Sequence, residues 1–97
     1  MNGKVFDQTT YPVIDLKATG KNIMKMRESA GISVRELQAI LGFTNPQAIY
    51  KWQHGSCLPT IDNLVILASV FGVTLDELLI LEGEDAEIKD HKVKVAA

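Results

Sequence analysis

A chain of 97 residues can build one small core and leaves little room for a separate catalytic domain. Its hydrophobic fraction of 46% is ordinary for a globular protein, no apolar run approaches the roughly 20 residues of a membrane span, and the lone Cys57 excludes an internal disulfide framework. The net charge of −2 is unevenly spread: residues 17–60 carry six basic and two acidic side chains, whereas residues 61–85 carry six acidic ones and no basic one.

That split, net +4 against net −6, fits a positive side turned to a polyanion and a negative side turned away. Ordinary surface charge is the alternative, because segregation along a chain need not become segregation in space. No signal-peptide pattern opens the sequence, and a single cysteine suits a reducing compartment, so a cytoplasmic protein is expected.

Residues 1–18 contain Val5, Phe6, Tyr11, Pro12, Val13, Ile14 and Leu16, and Pro12 with the Thr9-Thr10 pair disfavours a long helix. The expectation is an extended N-terminal arm packed on the rest. After Thr19-Gly20, the stripe Ile23, Met26 and Ala30 predicts a first helix that ends at Gly31. Ser33 and Glu36 form a capping box with a hydrophobic staple of Ile32 on Leu37, starting a second helix. Val34, Leu37, Ile40 and Leu41 are its expected buried side, and Gly42 closes it. Asn45-Pro46, an N-cap followed by a first-turn proline, predicts a third helix over residues 45–54, with Ile49 and Trp52 inward and Gly55 beyond.

Pro59-Thr60 opens a fourth helix with the stripe Ile61, Leu64, Val65, Ala68 and Phe71 before Gly72. The box and staple recur in Val73, Thr74, Glu77 and Leu78 for a fifth. The boundaries are thus an arm at 1–18, five helices at 19–82 and a short C-terminal tail at 83–97. The tail alternates weakly through Lys92, Val93, Lys94 and Val95, so a short strand there, even one paired with the arm, is open.

The second helix, a glycine turn and the third helix make a DNA-binding unit, in which the first of the pair crosses the backbone and the second enters the major groove. Gln47, Tyr50, Lys51 and His54 fall at i, i+3, i+4 and i+7, opposite Ile49 and Trp52. Glutamine can pair with adenine, lysine can reach guanine or phosphate, and tyrosine can touch a thymine methyl or a phosphate. A merely solvated polar face is the competing reading. The absence of any acid from the stripe favours the groove. Asn45, Lys21 and Arg35 complete the candidate contact set.

These residues resemble the Xre/Cro-type, lambda-repressor-like helix-turn-helix family. The resemblance runs from Thr19 to Leu81. It rests on Gly31-Ile32-Ser33, Leu37, Leu41-Gly42, Ile49, Trp52, Gly55 and Leu58-Pro59, then on Leu64, Leu67-Ala68, Phe71-Gly72-Val73-Thr74-Leu75-Asp76-Glu77-Leu78. It implies an all-α, five-helix DNA-binding domain that works as a dimer on operator half-sites. Three positions depart from the family pattern. Val34 stands where a phosphate-bonding glutamine is common, Gln38 replaces a frequent alanine, and the turn through Thr44, Asn45 and Pro46 is one residue longer.

Other chemistries fare less well. His54 and Cys57 share a three-residue spacing, but zinc would need further ligands, and no metal or other cofactor is expected. His54 suits the negative end of its helix, Cys57 reads as a loop bystander, and Trp52 and Met26 as core. No triad or phosphate-cradling glycine loop is present, so an enzyme is not expected. The leading expectation is a sequence-specific regulator binding double-stranded DNA as a homodimer, with Leu79, Ile80 and Leu81 as dimer surface or as the last of the core. The alternative is a protein-interaction module such as an antitoxin-like partner, which the acidic fourth and fifth helices favour.

Overall fold

The computed structural model describes residues 12–84. Most of the expected arm and the alternation at residues 92–95 lie outside them. Five helices follow in order: α1 (Leu16–Ser29), α2 (Val34–Leu41), α3 (Gln47–Gln53), α4 (Ile61–Phe71) and α5 (Leu75–Leu78). This is the all-α lambda-repressor-like bundle that the sequence predicts.

Capping signals placed most boundaries correctly. Ser33 and Glu36 satisfy each other's backbone N–H groups at 3.0 and 2.8 Å, and Thr74 and Glu77 do the same at 3.1 and 2.8 Å. Gly42, at φ 74°, ends α2. The first helix differs from expectation: it starts at Leu16, not after Thr19-Gly20. Asp15 is its cap, accepting from the Ala18 N–H at 2.9 Å, so Leu16, Lys17 and Ala18 form the first turn rather than arm.

Ile23, Leu37, Ile49, Trp52, Leu64, Leu67 and Leu78 form the core, with Met26, Val34, Leu41, Phe43, Phe71 and Leu79 packed around it. Three expected stripes need correction, the first on α1, where Ala30 is exposed just past the helix end. Ile40 is half exposed, and on α4 the inward side is Leu64, Leu67, Ala68 and Phe71, while Ile61 (72% exposed) and Val65 (50%) face solvent. A short helix packs along a narrow strip, and the flanking aliphatics fell outside it.

Helix α1 is the hub. Its Thr19 hydroxyl accepts from the Ile80 N–H at 2.9 Å and donates to the Ile80 carbonyl at 3.3 Å. Asn22 donates to the Glu77 and Leu78 carbonyls at 2.9 and 3.0 Å, closing the end of the four-residue α5. Beside these contacts, Ile14 and Leu81 form an antiparallel bridge, with Asp15 N–H to Ile80 O at 2.8 Å and Glu82 N–H to Val13 O at 2.7 Å. The end of the arm therefore pairs with the segment just after α5. Ile80 is 1% exposed and Leu79 lies on the core, so both finish the core.

Candidate nucleic-acid interface

Helix α3 is held by its C-terminal end against the middle of α1. Gly20 permits this contact: a Cβ there would overlap the Trp52 carbonyl oxygen and stand 2.8 Å from the Gln53 oxygen. Gly55 completes the fit from the other side. Its φ of +77° favours glycine, and a Cβ would come within 2.7 Å of the Lys17 Cα. Two helix backbones are thus in near contact, which no larger residue at either position would allow.

A buried cation adds a second fastening. Arg27, 9% exposed, donates from Nε to Gln53 Oε1 at 3.0 Å and from Nη1 to the Ile32 carbonyl at 2.7 Å. The last turn of α1, the α1–α2 turn and the last turn of α3 therefore meet at one side chain. Among the described residues its ion-pair partner is the exposed Glu28, 3.9 Å from Nη2. Arg27 is thus removed from the pool of cations free to meet a polyanion.

The α2–α3 turn is held from below. Gln38 donates to the Phe43 carbonyl at 3.2 Å, so the residue that departs from the family pattern braces the lengthened turn. The Phe43 ring meets Trp52 edge-on, with centroids 5.9 Å apart. Asn45 Oδ1 accepts from the Gln47 N–H at 3.0 Å. Pro46 occupies the position before the first helical residue, one later than expected, and the asparagine caps from one residue further out.

This frame leaves one side of α3 in solvent. Ile49 is fully buried and Trp52 is 4% exposed, while Gln47, Tyr50, Lys51 and His54 are all exposed on the opposite side. Asn45 is exposed in the turn before them. Arg35 is exposed on the first turn of α2, and Lys21, also exposed, follows the Gly20 contact on α1. Gln47, Tyr50 and Lys51 of α3 and His54 at its C-cap form one stripe, with Asn45 leading into it, and Lys21 and Arg35 come from two separate helices.

Sequence reasoning missed the parts that hold α3: Gly20, Arg27, Gln38 and Gln53. A glycine inside an amphipathic helical pattern was the available signal for a close backbone approach. Ser33 also draws the Glu36 carboxyl below its ordinary value of 4.5, through its backbone N–H first and its hydroxyl second. Among the described residues no three His, Cys, Asp or Glu side chains gather to hold a metal ion, and no helix is long and apolar enough to cross a membrane.

The family model described as Helix-turn-helix matches residues 23–78, more than half of the sequence, and the chain belongs to that family. Membership implies DNA binding. Among solved structures, the restriction-modification controller protein C.AhdI from Aeromonas hydrophila superposes with a TM-score of 0.59 at 22% identity, covering 66% of this chain and 96% of that one. A transcriptional regulator from Listeria innocua also gives 0.59, at 18% identity over 87% of this chain and 78% of that one. At these identities the likeness is one of fold. Comparison with curated proteins gives no significant match.

Proposed function

We propose that the chain is a sequence-specific transcriptional regulator that binds double-stranded DNA as a homodimer, with α3 in the major groove. One observation carries this reading. Four polar, acid-free side chains stand exposed on a helix whose opposite side is locked to α1 through backbone contact. A surface that only needed solvation would not require such a seat. The named roles of two structural neighbours, a controller protein and a transcriptional regulator, agree with it.

In this reading Gln47, at the start of α3, pairs with an adenine edge, and Lys51 one turn later reaches phosphate or guanine. Tyr50 contacts a thymine methyl or a phosphate. Asn45 meets a base edge from the turn. His54, Lys21 and Arg35 hold phosphates and set register. With Arg27 buried, the exposed cations of residues 17–60 are Lys17, Lys21, Lys25, Arg35 and Lys51, a pool for on the order of three to five phosphates per protomer.

The homodimer is assigned to the outer side of α4. Leu79 and Ile80, expected as dimer surface or as the last of the core, belong to the core, and Ile61 and Val65, one turn apart on α4, are the most exposed of the large aliphatics among the described residues. They belong to a helix apolar on nearly every side, which a lone domain has no reason to expose. A second copy related by a two-fold axis supplies a matching pair.

The deciding experiment uses a duplex selected from random DNA, together with a random control. Gln47→Ala should lower affinity for the selected site about 10-fold and barely change affinity for the control. Lys51→Ala, if it holds phosphate, should weaken both and reduce the salt slope by about one. Unchanged binding for both variants would remove α3 as the reading element.

A further inference from the structure

Beside the start of α3 lies an open hollow of about 360 Å³, lined by Gly42, Phe43, Thr44, Asn45 and Ala48. Its apolar walls are Phe43 and Ala48, both packed on the core from behind. Phe43 is fixed twice, by the Gln38 bond to its carbonyl and by its edge-on contact with Trp52. The hollow is therefore rigid on its apolar side. It is also roomy enough for the edge of a pyrimidine ring as well as a methyl group.

Its polar rim is one-sided. Asn45 Oδ1 accepts from the Gln47 N–H, and among the described residues its amide nitrogen takes part in no hydrogen bond. A carboxamide held this way keeps both N–H donors for a ligand, while its oxygen is already engaged by the backbone. Apolar walls beside a fixed donor describe one base edge in the major groove. Thymine alone presents an acceptor, O4, next to a methyl group on C5. Cytosine places an amino donor against the Asn45 donor and brings no methyl. Guanine offers acceptors but nothing for the walls, and adenine sets its own amino group towards the rim.

We propose that this hollow receives the major-groove edge of a thymine, with its methyl group against Phe43 and Ala48 and its O4 accepting from Asn45 Nδ2. The inference rests on α3 entering the groove, and it adds a second specificity element to Gln47. It also gives the longer turn a purpose. The lengthened turn supplies the polar rim of a base-edge pocket between the walls Phe43 and Ala48, braced by Gln38.

The test replaces each thymine of the selected half-site in turn by uracil, cytosine or 5-methylcytosine and measures affinity. At one position, uracil should weaken binding about 4-fold through loss of the methyl contact, and cytosine about 10- to 100-fold. 5-Methylcytosine should fall between the thymine and cytosine values. Asn45→Asp keeps an oxygen to cap the Gln47 N–H but removes the donor, so the thymine-to-cytosine ratio there should drop about 10-fold, whatever happens to overall affinity. Ala48→Gly should bring the thymine-to-uracil ratio towards one. A site at which no thymine responds to loss of its methyl, or an unchanged ratio in Asn45→Asp, overturns the inference. If Gln47→Ala still loses specificity in that case, groove reading survives without the pocket. If the protein selects no sequence over random DNA, both are overturned.

Discussion

The Arg27 guanidinium, almost wholly buried, is bound at 3.0 Å by the neutral amide of Gln53 on the far side of the α1–α3 contact. A buried cation is expensive unless its donors are satisfied by groups of opposite charge. Here the partners are an amide and a carbonyl, and the nearby Glu28 is 64% exposed at its side chain. Gln53→Glu supplies the missing charge without changing shape. Its melting temperature at pH 7 should rise by several degrees, about 1 kcal/mol. The introduced carboxylate would titrate lower in the folded protein than in the unfolded one. The gain should therefore be present above about pH 4.3 and vanish as pH falls through the folded value. Arg27→Met, which keeps the stem and removes the donors, should cost about 3 kcal/mol. A Gln53→Glu protein no more stable than wild type at pH 7 would show that the amide already suffices.

Gly20 sets two effects of opposite sign against each other. In an exposed helix, glycine to alanine stabilises by about 1 kcal/mol through propensity alone. Here the new Cβ would meet the backbone oxygens of Trp52 and Gln53, which cannot rotate away as a side chain can. Overpacking of this kind costs about 1–3 kcal/mol and occasionally more, so the steric effect wins. Gly20→Ala should melt below wild type and lose DNA affinity, because α3 has to move. Thermal unfolding and a binding isotherm check both parts, and a stabilised variant would contradict the contact.

The cap of α2 should report on pH. Glu36 has its carboxyl held below the ordinary value of 4.5 in the folded state. Its contribution is therefore complete above that value and is lost as pH falls through the lowered one. Glu36→Gln retains a side chain able to accept at the same place but has no proton to gain. The stability difference between wild type and this variant should shrink between pH 7 and pH 3. Urea midpoints at the two pH values measure it, and a difference independent of pH would contradict the assignment.

Self-association should depend on α4. Val65→Glu, at a half-exposed position, should leave the fold and melting curve nearly unchanged while shifting sedimentation towards the monomer. Asp62 beside this patch adds like charge across any two-fold contact, so salt should strengthen the dimer while weakening DNA binding. A strict monomer, both free and on DNA, would remove the homodimer and return the patch to the alternative reading, an antitoxin-like contact with another protein.

Much of this molecule was legible in local signals. The paired boxes at Ser33 with Glu36 and at Thr74 with Glu77, and the glycine after α2, depend on neighbours within a few residues, and they placed α2 and α5. The side of α3 that stays in water followed from helical periodicity, because Ile49 and Trp52 are both large and one turn apart. Locally determined features survive because their energies come from groups that the chain itself brings together.

Tertiary structure decided the rest. Whether Ile61 and Ile40 lie inside or outside depends on how wide a strip the neighbouring helices cover, and composition is silent on that width. The burial of Arg27 depends on Gln53, 26 residues away, and the need for glycine at position 20 depends on carbonyls more than 30 residues distant. The pairing of Ile14 with Leu81 likewise joins the two ends of the described chain. Close approaches of this kind have no periodicity to betray them. They arise only when separate helices meet, and they hold α3 in place with its polar stripe facing outward.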